Sequence, residues 1–173
     1  MLKCDNTTEQ VEDEPYYIIG TKHSKGAVSS YRVPGPSGHW SMNDNGNNQR
    51  IENISLAEFN LEEGEYLDIL VNLMEEDGGM ANDYLNAFAT FLSQIDTPYT
   101  LGAAVLIGGI SKLFKIQDTD DWLGSFAIRV SKKKGGNSIE FKIINEILPE
   151  SNLGQVIYRG AGCDYTGAYG IQG

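Results

Sequence analysis

The sequence predicts a mainly β fold, an antiparallel β-sandwich with an inserted α-helical hairpin at about residues 80–116. Three observations carry this. Apolar residues alternate at period two on either side of the middle of the chain. Between those stretches the period changes to that of an amphipathic helix. Gly, Pro, Asn and Asp punctuate the ends of the runs. Strands segregated from helices favour a sandwich over an alternating α/β fold.

Taken in order, residues 1–13 are polar and acidic and read as a flexible tail, leaving 14–173 as a single domain. EPYYIIGTK, with Tyr16, Tyr17, Ile18 and Ile19, is a strand. VPGPSGHWSMNDNGNNQR is a long loop with at most a short strand near His39–Met42. Ile54, Leu56, Phe59 and Leu61 alternate with polar neighbours, as do Leu67, Ile69, Val71 and Leu73. This predicts two strands joined by a turn at Glu62–Glu65.

In MANDYLNAFATFLSQI, Tyr84, Leu85, Phe88, Phe91, Leu92 and Ile95 fall on one helical face. Asn82 or Asp83 would cap that helix, and Thr97–Pro98 would end it. A second helix is expected in YTLGAAVLIGGISKLF, apolar on nearly all sides, with glycines that permit close packing. The β period returns at Phe126, Ile128 and Val130, turns at Lys132–Asn137, and resumes at Ile139, Phe141 and Ile143. The Gly-rich, aromatic C-terminus predicts a final strand or pair of strands.

The chain has 173 residues, of which 40% are apolar, enough for one domain with a sizeable core. A formal net charge of −11 excludes nucleic-acid binding, which needs a basic face. The opening MLKCDNTTEQVEDEP lacks the apolar stretch of a signal peptide, so a cytoplasmic or mature secreted form is expected. Cys4 and Cys163 have no metal-site spacing, and whether they pair is left open. His23 and His39 have no acid nearby in sequence. They read as surface loop residues, which argues against His-based catalysis.

The distinctive feature is a pair of acidic runs. Glu75, Glu76 and Asp77 close one strand just before Gly78 and Gly79; Asp118, Asp120 and Asp121 open another. A helical hairpin between them would bring its two ends, and hence both runs, to the same end of the sandwich. Two carboxylates about 5 Å apart repel by roughly 3 kcal/mol at an effective dielectric near 20. Nearby Lys112 and Lys115 offer little relief, whereas a divalent cation would neutralise several acids at once. Oxygen ligands in flexible loops suit Ca²⁺; Zn²⁺ would want His or Cys. The run is not an EF-hand: DTDDWLGSFAIR has Leu at the position of the turn glycine and Arg at that of the final Glu.

DTDDWLG, opening an alternating strand, resembles the third calcium loop of C2 domains, and MEEDGG resembles the opposing loop. DEPYYII and GAGCDYTGAYGI resemble the flanking strands of C2-like sandwiches found in bacterial and fungal proteins. The resemblance implies a C2-like fold with Asp118, Asp120, Asp121 and Asp77 as metal ligands, and Glu75 or Glu76 as further ones. The helical hairpin departs from ordinary C2 domains, as does the spacing of acids in the first loop.

The expected function is a calcium-binding module whose acidic loops, 75–83 and 118–121, take Ca²⁺ for stability or for docking to a membrane or protein partner. Trp122 reads as a lid, a membrane-dipping tip or a core residue. A membrane-active, toxin-like or pore-forming protein is the alternative, using the apolar hairpin 84–114 with Leu106 and Ile107 as contact residues. That hairpin is too short for either helix to span alone. A self-assembling structural protein is a further alternative. An enzyme would rest on a carboxylate pair alone, without a nucleophile motif or phosphate loop, and none is expected.

Overall fold

The computed structural model describes residues 1–7, 13–44, 49–76, 81–96, 109, 112–113, 120–142, 155–160 and 163–168. Nine strands and one helix are defined among them. They are β1 (Leu2–Thr7), β2 (Pro15–His23), β3 (Val28–Val33), β4 (Arg50–Ile51), β5 (Tyr66–Glu76), α1 (Ala81–Ser93), β6 (Asp120–Lys133), β7 (Gly136–Lys142), β8 (Gln155–Gly160) and β9 (Cys163–Ala168). Every strand pair is antiparallel. One sheet has the order β4-β1-β9-β8 and the other β3-β2-β5-β6-β7.

The two sheets share an interior core. Leu2 and Cys4 enter it from β1; Tyr17, Ile19, Leu67, Val71 and Phe126 enter it from the five-stranded sheet. A second core lies on the outer face of that sheet, where Tyr16, Ile18, Leu70 and Met74 meet Phe88, Leu92 and Ile95 of the α1 region. Because both of its faces are covered, β5 is buried from Leu67 to Glu75. Its polar residues on the helix side therefore need partners. Asp68 receives two hydrogen bonds from Arg129, at 2.6 and 2.9 Å. Asn72 donates to the Ile18 carbonyl at 3.1 Å.

The helix sits close to the sheet because Gly20 leaves room for it. A Cβ at Gly20 would overlap Leu92 Cδ1 and Phe88 Cε1. The helix begins at Ala81, so Asn82 and Asp83 lie in its first turn and are not its cap. It ends at Ser93, short of Thr97–Pro98, where Gln94 and Ile95 turn their N–H groups to the Phe91 and Leu92 carbonyls. Gly109, Lys112 and Leu113 are also helical, and Leu113 packs on the second core. The rest of the expected second helix lies outside the described residues.

Other expectations are corrected. Residues 2–7 are not tail but strand β1, held between β4 and β9. Leu2 and Cys4 are fully buried, which a polar tail would not allow. Cys4 is a thiol, and β9 places Cys163 opposite Thr7 and Tyr165 opposite Cys4. Segment 52–61 is not a strand. Asn53 takes a left-handed φ of 56°, which breaks the extended path just after β4. Its alternating apolar residues still bury: Ile54, Leu56, Ala57 and Phe59 pack against the interior core. Strand β3 has only Tyr31 and Val33 in alternation to announce it, yet it pairs with β2 from Val28 to Val33.

Candidate functional site

The β5–β6 ladder fixes where the acidic runs meet. It pairs Tyr66 with Ser131 at one end, and Glu75 with Asp121 and Glu76 with Asp120 at the other. Glu75, Glu76, Asp120 and Asp121 are thus strand residues, not loop residues as the sequence implied. Antiparallel neighbours turn the end of β5 and the start of β6 toward the same end of the sheet. Asp77, Asp118, Leu106 and Ile107 lie outside the described residues.

A register shift between Leu73 and Met74 marks a β-bulge on β6. Leu73 faces Gly124 and Met74 faces Trp122, with Leu123 as the extra residue. Leu123 thereby joins the interior core, while Trp122 packs against the second core on the other face. The indole Nε1 of Trp122 donates to Ser125 Oγ at 2.9 Å, and Ser125 Oγ donates in turn to Asn72 Oδ1. With the Asn72 bond to Ile18, this forms a polar chain across three strands. It places Trp122 against the sheet, half-buried and hydrogen-bonded, in line with the core reading of this residue.

Glu75 is buried. Glu76 is 17% exposed and strongly engaged. Its Oε2 receives the Arg32 guanidinium and lies 2.9 Å from His39 Nδ1. His39 Nε2 lies 3.6 Å from Glu14 Oε1. Burial alone would push the Glu76 carboxyl up. Hydrogen bonds from His39 and Arg32, with their charges, overcome it and hold the carboxyl below the usual carboxylate range. Arg32 is itself buried, stacked 3.5 Å over the Tyr16 ring.

Sequence reasoning missed this cluster. His39 and Arg32 lie 37 and 44 residues from Glu76. No local spacing announces them; only the β3-β2-β5 strand order does. His23 is likewise not a loop residue free of acids. It ends β2, with Nε2 3.4 Å from Glu65 Oε2 and Nδ1 accepting from the Lys25 N–H at 3.1 Å.

Among the described residues, no group of three or more His, Cys, Asp or Glu side chains is placed to hold a metal ion. No helix among them is long and apolar enough to cross a membrane. No family model, curated protein or solved structure matches this chain.

Proposed function

We propose that the chain is a calcium-binding β-sandwich module of C2-like type, with a helical hairpin joining the two halves of its acidic end. One observation carries the reading. The β5–β6 register sets Glu75 and Glu76 opposite Asp121 and Asp120, 46 and 44 residues away, so that the two acidic runs end on neighbouring strands. Asp77 and Asp118 continue those runs. The donors are all carboxylate oxygens, the chemistry that Ca²⁺ takes and Zn²⁺ does not favour. Calcium would offset the repulsion between the runs, and so stabilise the module or ready that end for a protein or membrane partner. No specific observation favours the membrane-active alternative, since Trp122 packs on the sheet and Leu113 on the second core.

Thermal unfolding in millimolar calcium and in excess chelator tests this. Calcium at about 100 times its Kd stabilises by about 2.7 kcal/mol, which for a domain of this size raises the Tm by roughly 5–10 °C. An Asp118→Asn, Asp120→Asn, Asp121→Asn triple variant should lose that shift. Equal melting temperatures for the wild type in calcium and in chelator would overturn the reading.

A further inference from the structure

We infer that Glu76 is not a cation ligand but the anchor of a fastener, in which Arg32 is the positioning residue that holds loop 34–40 beside the acidic end. The ligand half of this inference rests on the calcium reading above. The fastener half rests on geometry alone.

The strand order brings the parts together. Tyr17 pairs with Val33, and Pro15 with Glu75, so the end of β3, the start of β2 and the end of β5 share one end of the sheet. Loop 34–40 leaves β3 there. Arg32 reaches from β3 in two directions: Nε donates to the Gly38 carbonyl at 2.6 Å, and the guanidinium meets Glu76. The first bond holds the loop and the second holds the end of β5. His39, on the same loop, adds a third side at the same Glu76 oxygen.

The loop admits little freedom. A Cβ at Gly38 would overlap the Pro34 carbonyl oxygen. At the end of the loop the Trp40 N–H donates to the Pro15 carbonyl at 3.0 Å, and beyond it Asp13 and Met42 exchange two main-chain bonds at 2.8 and 2.9 Å. The loop is therefore laced to the start of β2 on one side and fastened to Glu76 on the other.

The same geometry argues against Glu76 as a ligand, because its Oε2 is taken by Arg32 and His39. The Arg32 side chain is 1% exposed. A buried guanidinium whose carboxylate is taken away becomes an uncompensated charge, the most costly arrangement in a protein interior. To bind a cation through Oε2, Glu76 would have to release both Arg32 and His39. The acids left to the calcium reading are then Asp77, Asp118, Asp120 and Asp121, together with Glu75, which is buried.

Two measurements on the full chain decide this. In calcium titration calorimetry, Glu76→Ala should change the affinity by no more than about twofold, whereas Asp120→Asn should weaken it about tenfold or more. A tenfold loss in Glu76→Ala would make Glu76 a ligand and overturn the inference.

Hydrogen exchange is the second, and needs no calcium. The amides of Gly35, Gly38 and Trp40 should exchange at least about tenfold faster in Arg32→Gln and in Glu76→Ala, and by a larger factor than the amides of β5. Arg32→Lys should fail to rescue, because an ammonium lacks the planar fork that serves Gly38 and Glu76 together. Unchanged exchange in 34–40, or full rescue by Lys, would overturn the fastener. If the wild type binds no calcium, the calcium reading fails and the exchange result alone decides the fastener.

Discussion

Lys22 Nζ donates to the Leu92 carbonyl oxygen at 3.2 Å, joining β2 to the end of α1 across 70 residues of sequence. It also reaches the Ile95 carbonyl. The last turn of α1 carries no basic residue of its own. The sheet therefore supplies the cation that complements the exposed carbonyls and the negative end of the helix dipole. Lys22→Ala should destabilise the fold by about 1–2 kcal/mol. Denaturant unfolding checks the size, and faster hydrogen exchange confined to the end of α1 checks the cause.

Gly20 is a point of close approach between helix and sheet. Gly20→Val should force Phe88 and Leu92 outward and cost about 1–3 kcal/mol, as overpacked cores do. The midpoint of chemical unfolding should fall, and amide protection in α1 should fall more than protection in β6. A neutral outcome would mean that α1 does not pack on β2 in solution.

Ser125 is the middle of the chain from Trp122 to Asn72. Ser125→Ala leaves the indole N–H and the buried Asn72 Oδ1 without this partner. The expected loss is about 1–3 kcal/mol, the cost of stranding buried polar groups. Denaturant unfolding of Ser125→Ala and of Trp122→Phe, singly and combined, should show strong non-additivity, since both variants break the same bond.

Glu76 makes stability depend on acid. Its folded carboxyl is held below the ordinary value of 4.5. A depressed carboxylate contributes stability that is fully present above the unfolded value and is lost as pH falls through the folded one. The melting temperature of the wild type should therefore drop more steeply than that of Glu76→Gln as pH is lowered below about 4.5, and the two curves should converge in strong acid. Parallel curves would remove Glu76 from the account of acid unfolding.

Much of the fold was legible because period is local. The alternation of Leu67, Ile69, Val71 and Leu73 marks β5, and Phe88, Leu92 and Ile95 mark the buried face of the helix. Strand β1 was not legible: LKCDNT shows only Leu2 and Cys4 as inward residues, too few to stand out as a pattern. In 52–61 the alternation is present without the strand, because packing against a core can select apolar residues without ladder pairing. For the site, the acidic runs were visible as composition, but their cross-strand register was not.

The sequence by itself determined that this is a mainly β chain with an amphipathic helix between its two longest strand patterns, and that its acids gather at the two strand ends flanking that insertion. Only the tertiary structure decided which acids are engaged and by what. Arg32, His39 and Glu76 come from a strand, a loop and another strand, brought together by the β3-β2-β5 order. Side-chain periodicity is written residue by residue, whereas ion pairs across a sheet depend on strand order and register. Those are settled by burying the two apolar faces of β5, not by any spacing between the charged residues.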